Sequence, residues 1–369
     1  MKLEEKREWF QSSDDVRKGY VRGATFGFKE VTYSAVDGLA IFEGDICLGK
    51  TEDIAKQAPP MDPGQMSARG IARGVGITGE EFRWPNGRVP FEIDAGIPNQ
   101  TRTHITNAIA HWEQNTSIRF IQRTAANANQ FPNFVRFIAA TGCWSRVGMQ
   151  GQMQEISLCA NCGFGAAVHE IGHAVGLWHE QSREDRDSNV RIQWQNIVPG
   201  MEHNFNQHIA DGDDIGQYDF GSIMHYGPFA FSSSGQATIV TLGGQQIGQR
   251  NGLSGGDIAA VRALYPQLET PLPPDELRNR SEGGNGPLDL NDPRSMLVKN
   301  VQIILKRLGH ELGNSGPNHD GIDGKYGNKT RTAVVEFQAT HNDIHGNKLQ
   351  ADGKVGKLTA EALNKAVGI

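Results

Sequence analysis

The chain has 369 residues, of which 37% are hydrophobic and 21% charged. This is typical of a globular protein with two or three folded domains. The net charge of −6 offers no basic surface for nucleic acid or an anionic membrane. No apolar run approaches the ~20 residues that cross a bilayer. The first residues, MKLEEKREWFQSSDD, lack the apolar core of a secretory signal peptide.

Residues 1–74 are mostly polar and form the first predicted region. They end in QAPPMDPGQMSARGIARG, where prolines, glycines and arginines indicate an exposed, cleavable stretch. Ordered patterns follow. The segment VPFEID alternates like a strand, Ile105, Ile109 and Trp112 have helical spacing, and SIRFI and FVRFI predict two more strands. We therefore expect a domain of mixed strands and helices over residues 75–266.

The second half of this domain contains a histidine-rich segment, HEIGHAVGLWHE, and then long loops rich in Gly and Asn. It closes on SGGDIAAVRALY. There Ser254 is expected to cap a helix that buries Ile258, Val261 and Tyr265.

Composition shifts after this domain. Residues 267–294 are rich in Pro, Gly, Asn and acids, which predicts a linker. In residues 295–369, DGKYGNKT recurs as DGKVGKLT. Each copy predicts a tight Asp-Gly turn leading to a threonine, Thr330 or Thr359, that caps the next helix. We expect a small all-α module.

The histidine segment carries the chemistry. Residues four apart share a helix face, so His169 and His173 can bind one ion. Gly176 permits the helix to end, and the chain can then bring in His179 as a third ligand. Three neutral imidazoles leave one open position on a tetrahedral Zn²⁺, which lowers the pKa of a bound water towards ~7. Glu170 can take the proton of that water and pass it to the leaving amine.

Chance is a poor explanation for this spacing. With 12 histidines in 369 residues, it is expected in about 2 of 10,000 chains of this composition. HEIGHAVGLWHEQSREDRD with SIMHY downstream resembles the astacin family of metzincin endopeptidases. The resemblance implies an α+β fold, a twisted sheet with an active-site helix and a C-terminal helix. It also implies Met224 beneath the metal, Tyr226 as a stabiliser of the transition state, and Glu180 as the acid that receives the new N-terminus after activation.

The segment FEGD, with Asp45 at its end, resembles the inhibitory element of astacin pro-segments. The resemblance implies that Asp45 fills the open zinc position, so that residues 1–74 keep the enzyme latent. Cys47 is a competing switch because a thiolate also binds zinc. We prefer Asp45 and expect activating cleavage near Arg73.

Four cysteines are present. Cys159 and Cys162 form a CxxC, which can indicate a redox or zinc site, but no second CxxC accompanies it. A disulfide from Cys143 to Cys159 or to Cys162 is the better interpretation, with Cys143 and Cys162 taken as structural. Astacins often have a second disulfide between the start and end of the domain, and no cysteine follows Cys162 to form it.

Residues 295–369, with their two DGKxG turns, resemble a peptidoglycan-binding domain. The leading hypothesis is therefore a latent zinc endopeptidase that cleaves proteins and carries a wall-binding tail. One alternative is a hydrolase of peptidoglycan peptide cross-links, and another is a wall-binding protein with an inactive protease domain. We expect protein or peptide substrates, one Zn²⁺, a monomer, no nucleic-acid partner, no transmembrane segment, and an extracellular or wall-associated location.

Overall fold

The computed structural model describes residues 10–23, 27–57, 76–77, 79–207, 212–265, 271–316 and 321–367. The chain divides into two compact units. The first contains residues 1–84 and 89–264, and the second contains residues 85–88 and 265–369.

A nine-stranded sheet forms the frame of the first unit. Its strands are β1 (Val16–Gly23), β2 (Gly27–Val36), β3 (Leu39–Phe42), β4 (Ile46–Lys50), β6 (Arg88–Ile93), β7 (Arg119–Gln122), β8 (Phe134–Ile138), β9 (Cys143–Ser145) and β10 (Met153–Leu158). Their spatial order is β1-β2-β3-β4-β9-β10-β8-β6-β7. Two short pairs lie apart from it: β5 (Gly76–Ile77) with β12 (Gly212–Asp213), and β11 (Val190–Ile192) with β13 (Ile239–Thr241).

The N-terminal region contributes four strands of this sheet. Strands β1 to β4 form an antiparallel meander, and helix α1 (Thr51–Ile54) follows it. Strand β4 joins the rest of the sheet through a parallel pairing of Ile46 with Ser145 on β9. The Ser145 N–H donates to the carbonyl of Asp45 over 2.9 Å. Because this edge of β9 is paired with residues 45–46, the N-terminal region and the domain that follows it share one sheet.

Two long helices pack together in the first unit. Helix α2 (Asn99–Asn115) buries Ile105, Ile109 and Trp112, as their helical spacing predicts. Helix α3 (Phe164–Val175) is buried along nearly its whole length, which an apolar helix in the middle of a domain requires. The indole N–H of Trp112 donates to the carbonyl of Val168 over 3.1 Å, which fixes the two helices to each other.

The last helix of the first unit, α4 (Gly255–Leu264), begins as its cap predicts. The Ser254 hydroxyl accepts the N–H of Asp257 over 2.9 Å. Val261 and Tyr265 are buried, and Ile258 is half-buried. The mixed architecture of sheet and helices confirms the predicted α+β fold.

The described residues of the second unit form three α-helices, α5 (Ser295–Arg307), α6 (Asn328–Thr340) and α7 (Lys357–Val367). Their apolar faces meet in one core. The helical core residues include Val298, Val301, Ile304, Leu305, Val334, Phe337, Leu363 and Val367. This confirms the predicted all-α module.

The internal repeat is visible as two equivalent turns. Gly324 and Gly353 both have φ above +70°, which favours glycine. The prediction that Thr330 and Thr359 cap their helices is wrong, because both lie inside the first turn and are buried. Their hydroxyls instead accept the side-chain amides of two glutamines that hold the turns.

The linker predicted over residues 267–294 is not an exposed chain in its described part. From residue 271 onwards it packs against the helices of the second unit, where Leu272, Leu277 and Leu288 are fully buried. The N–H of Leu288 and the carbonyl of Val355 also pair as an isolated bridge. The composition wrongly indicated an exposed linker, because three buried leucines determine how this segment packs against the helices. Among the described residues, no helix is both long and apolar enough to cross a membrane.

Candidate zinc centre

Helix α3 brings the first two histidines together. His169 and His173 lie one turn apart on its buried face, with ring centroids 4.8 Å from each other. The helix ends at Gly176, whose φ of +119° is accessible to glycine. The chain then turns back and places the ring of His179 4.7 Å from that of His173. The three predicted ligands therefore converge on one point.

Asp45 reaches the same point from the N-terminal region. One of its oxygens, Oδ2, lies 3.2 Å from Nε2 of His169 and 3.3 Å from Nε2 of His179. The other oxygen, Oδ1, lies 3.1 Å from Nε2 of His179 and 3.5 Å from Nε2 of His173. These four side chains form a buried group whose ligand atoms all lie within 4.8 Å of one another.

The donor set fits zinc. Three imidazole nitrogens and one carboxylate oxygen are ligands that Zn²⁺ accepts in a tetrahedral arrangement, in which neighbouring ligand atoms are about 3.3 Å apart. Two buried atoms at this point, Oδ1 of Asp45 and Nε2 of His173, have no hydrogen-bond partner in the described part of the chain and lie 3.5 Å apart. Buried polar atoms normally have partners, so their convergence is the expected signature of a cation and its ligands.

Backbone carbonyls orient two of the imidazoles. Nδ1 of His169 lies 2.8 Å from the carbonyl of Ile223, and Nδ1 of His173 lies 2.8 Å from the carbonyl of Leu177. A carbonyl can only accept, so Nδ1 carries the proton and Nε2 presents its lone pair to the centre.

Burial keeps these two ligands neutral. It lowers the pKa of His169 to about 3 and also lowers the pKa of His173. Burial opposes protonation of His179 as well, but the carboxylates of Asp45 and Glu43 outweigh it and raise the pKa of His179 to about 9.

Glu170 lies beside the ligands and is fully enclosed. Burial raises its pKa well above the ordinary value, and the negative charge of Asp45 raises it further. A carboxyl with a raised pKa next to a metal site is suited to accept and return a proton.

The methionine and tyrosine of SIMHY both lie against the histidine segment: Met224 packs on helix α3, and the ring centroid of Tyr226 lies 4.6 Å from that of His179. A Cβ atom on Gly172 of helix α3 would come within 2.6 Å of Sδ of Met224, so the methionine packs directly beneath the histidine helix. Tyr226 is buried, and its hydroxyl donates to the carbonyl of Glu43 over 2.6 Å. The N-terminal region thus holds the tyrosine hydroxyl.

Glu180 occupies a small cavity on another side of Met224. Asp219 and Asp257 also line this cavity. One oxygen of Glu180 accepts the N–H of Asp219 over 2.7 Å. Burial raises the pKa of Glu180 to about 8. Arg183 lines the same cavity, with Nη1 3.5 Å from Oε1 of Glu180, and its positive charge offsets part of the charge of the three acids.

The cysteine pairing is decided by the structure. Cys143 and Cys162 form a disulfide that joins β9 to the start of helix α3. Cys159 is free and half-buried, with Sγ 2.9 Å from Sγ of Cys162. Cys47 is free and packs with Ile41 in a buried apolar cluster, and burial raises the pKa of its thiol. Asp45, and not Cys47, lies among the histidines. The predicted cleavage site at Arg73 lies outside the described residues.

Two residues at the centre were not predicted from the sequence. Glu43 contacts His179, although FEGD indicated a role only for its aspartate. Phe10 lies over the site, with its ring centroid 4.5 Å from that of Tyr226 and 5.0 Å from that of Phe231. A lone phenylalanine in a polar stretch gives no signal of this contact. For Glu43, its position inside the FEGD segment gives only a weak signal.

Three features define a metzincin, a class of zinc-dependent peptidase: a buried helix with two histidine ligands, a third ligand after a glycine break, and a methionine turn beneath them. The profile of the astacin peptidase family matches residues 76–266. The chain belongs to this family. A second profile, described as a putative peptidoglycan binding domain, matches residues 294–363.

Individual relatives agree with the family profile. The chain is 39% identical to Blastula protease 10 of Paracentrotus lividus over 61% of its own length and 38% of that protein. It is 34% identical to the astacin-like metalloendopeptidase of Mus musculus over 66% of its own length and 56% of that protein. It therefore spans less than two thirds of either relative.

Among solved structures, the chain is similar to high choriolytic enzyme 1, a hatching enzyme zinc-protease from Oryzias latipes. The identity is 38%, and the match covers 50% of this chain and 92% of that one, with a TM-score of 0.46.

Proposed function

We propose that this protein is a zinc endopeptidase that cleaves proteins and is made as a latent precursor. The observation that carries the proposal is the carboxylate of Asp45, which lies within 3.5 Å of Nε2 in all three ligand histidines. A carboxylate in this position takes the coordination place that a catalytic site leaves for water.

The chemistry of the active form follows from the residues that remain when the N-terminal region leaves. His169, His173 and His179 would hold a zinc ion, which when bound would lower the pKa of a water ligand towards ~7 and polarise a carbonyl oxygen. Glu170 would take a proton from that water and later pass it to the leaving amine. Tyr226, once its hydroxyl is freed from the carbonyl of Glu43, donates to the oxygen on which negative charge develops.

The N-terminal region also covers the cleft. The backbone at residues 45–46 pairs with β9, and so takes an edge on which an extended peptide can add as a strand. Gln11 donates its N–H to the carbonyl of Gly44 over 2.6 Å, and Phe10 beside it packs on Tyr226. These contacts support inhibition by occupation of both the metal site and the substrate path.

Activation would follow a cut near Arg73. The new N-terminus would then bind the acidic cavity of Glu180, where its positive charge compensates buried carboxyls. Glu180→Gln in the cut chain is expected to lower activity without removing zinc.

The test of latency uses uncut protein. Arg73→Gln blocks the expected cut, and Asp45→Ala is added to it. The double variant should hydrolyse casein, while Arg73→Gln alone remains inactive. Adding Glu170→Gln to the double variant should abolish the activity, which excludes a contaminating protease. A double variant no more active than Arg73→Gln alone would contradict the switch.

The match of residues 294–363 to a peptidoglycan-binding profile supports a wall-binding tail. Full-length Glu170→Gln protein should be retained on insoluble peptidoglycan, and a chain ending at residue 265 should not. Equal recovery of both chains would argue against wall binding by the tail.

The same match favours a second candidate, hydrolysis of peptide cross-links in peptidoglycan. Casein digestion and release of soluble wall fragments separate the two activities, each measured with and without a zinc chelator. The third hypothesis, an inactive protease domain, is disfavoured because His169, His173 and His179 lie together with Asp45 as a group that could hold one metal ion, and Glu170, next to His169 in the chain, is buried.

We propose an extracellular or wall-associated location, which the Cys143–Cys162 disulfide supports because such bonds persist in oxidising compartments. We also propose that the protein is a monomer, which light scattering of the uncut chain would test.

A further inference from the structure

The three ligand histidines differ in what holds their outer nitrogens. Nδ1 of His169 and Nδ1 of His173 donate to carbonyls of the catalytic domain. Nδ1 of His179 instead donates to Oε2 of Glu43 over 2.8 Å. The acceptor of the third ligand therefore belongs to the region that activation would remove.

Glu43 is completely buried, with no exposed side-chain surface. Its second oxygen, Oε1, accepts the hydroxyl of Ser182 over 2.9 Å. Isolation of a carboxylate from water is costly unless it is paired and hydrogen-bonded. Both oxygens of Glu43 therefore have a partner: Oε2 accepts from His179, and Oε1 accepts from Ser182 in the segment that follows this ligand.

The backbone at Glu43 is adapted to this contact. Its φ is +46°, a left-handed conformation that few residues other than glycine adopt. In this conformation the side chain reaches His179 while the carbonyl accepts the Tyr226 hydroxyl. One residue thus engages a zinc ligand through its side chain and the predicted transition-state stabiliser through its backbone.

A carboxylate that accepts the outer N–H of a ligand imidazole fixes the orientation of the ring and increases its basicity. We propose that Glu43 is a positioning residue that holds His179 ready for zinc for as long as the N-terminal region is attached. The uncut chain then secures its metal with two carboxylates from one segment, Asp45 at the ion and Glu43 behind His179. This inference rests on the proposed latency, since it assigns a second role to the same segment.

The experiment measures zinc release and not proteolysis. Full-length chains carrying Glu170→Gln, which prevents self-cleavage, are loaded with one zinc and mixed with a chromogenic chelator. Glu43→Ala should release zinc about 10- to 100-fold faster than the parent, the range typical for loss of such outer contacts. The isosteric Glu43→Gln keeps the shape and an acceptor oxygen, so its rate should lie between the two.

Glu52→Ala is the matched control, because it removes an exposed acid from the same region and should release zinc at the parental rate. After proteolytic cutting, the parent and Glu43→Ala chains leave the same zinc domain, so their rates should become equal. A parental rate for both Glu43 variants, equal acceleration by Glu52→Ala, or a difference that survives cutting would each overturn the role of Glu43.

Failure of latency gives a different result. If the uncut Asp45→Ala chain remained inactive while Glu43→Ala still accelerated zinc release, the switch would be wrong but the contact to His179 would stand. Urea unfolding of the Glu43→Gln chain serves as the folding check, since a parental midpoint with faster zinc release assigns the effect to the ligand.

Discussion

The zinc centre and the repeated turns of the second unit are both clusters of buried polar groups, but their hydrogen bonding differs. In the turns, Gln302 donates to the Thr330 hydroxyl over 3.1 Å and accepts the Gly324 N–H over 2.9 Å. Gln338 repeats this with Thr359 and Gly353 at the same two distances. At the zinc centre, by contrast, Oδ1 of Asp45 and Nε2 of His173 converge without a hydrogen-bond partner among the residues that the structure describes.

This difference separates a structural polar cluster from a reactive one. In the turns, the hydrogen bonds between paired groups offset the cost of removing these groups from water, and so they stabilise the turns. Groups left without partners stay costly unless something else binds them, and here their chemistry matches a metal ion. Four substitutions can break or sharpen this contrast.

The largest effect is expected at the carboxyl of Glu170. Glu170→Gln should lower kcat of the cut chain about 10²- to 10⁴-fold, because a general base contributes about that much. Zinc content, measured by mass spectrometry, should remain at one ion per chain. Glu184→Gln, at an exposed acid nearby, serves as the control. Full turnover by Glu170→Gln would refute the assignment of this residue.

Tyr226→Phe should act mainly on kcat and reduce it about 10²- to 10³-fold, the effect of losing one donor to a developing negative charge. The ring remains, so KM for a peptide substrate should change little. Steady-state kinetics of the cut chain provide the measurement. A rise in KM with unchanged kcat would assign Tyr226 to substrate binding instead.

His225 is a fully paired group close to the centre and should show its effect in acid. Its Nε2 accepts the Tyr218 hydroxyl and its Nδ1 donates to the carbonyl of Tyr226, each over 2.7 Å. Burial lowers its pKa to about 4, whereas an unfolded histidine has a pKa of about 6.5. Between these values the unfolded state binds more protons, so stability is lost as pH falls from 6.5 to 4.

The loss amounts to about 3 kcal/mol when the shift of the pKa is converted to free energy. His225→Gln cannot titrate, so its free energy of unfolding should fall less steeply over this window. Urea unfolding at half-unit intervals of pH measures both proteins. Parallel pH curves would show that the ring is not held neutral.

The smallest effect is expected in the turns. Gln338→Leu leaves the Gly353 N–H and the Thr359 hydroxyl without their partner and should cost about 1–3 kcal/mol. Hydrogen exchange in helices α6 and α7 should accelerate while casein hydrolysis by the cut chain is unchanged. Gln350→Leu, at an exposed position, is the control. A loss of proteolysis in Gln338→Leu would show that the turns also serve the active site.

Local patterns predicted much of this molecule. The i, i+4 histidines and the glycine after them require only helix geometry, and the structure assembles His169, His173 and His179 as that geometry predicts. The Ser254 cap and the apolar faces of α5 to α7 are similarly local. Each of these features is decided within a few residues of the chain.

Apart from Asp45, which the family resemblance indicated, features that depend on distant contacts could not be predicted. Glu43 and His179 are 136 residues apart, and strand pairing such as that of β4 with β9 leaves no local pattern of its own. The sequence wrongly indicated a cap at Thr330 because its actual partner, Gln302, lies 28 residues earlier. The sequence did not reveal the burial of Leu272, Leu277 and Leu288, because they lie in a segment whose composition is typical of linkers.

The central claim is that the uncut chain closes its own metal site with Asp45. A crystal structure of the uncut protein grown with zinc tests this most directly. We predict one ion about 2.0–2.1 Å from Nε2 of His169, His173 and His179, with one oxygen of Asp45 at about 2.0–2.2 Å. Zinc bound by the three imidazoles and a water, with the Asp45 carboxylate turned away, would contradict it.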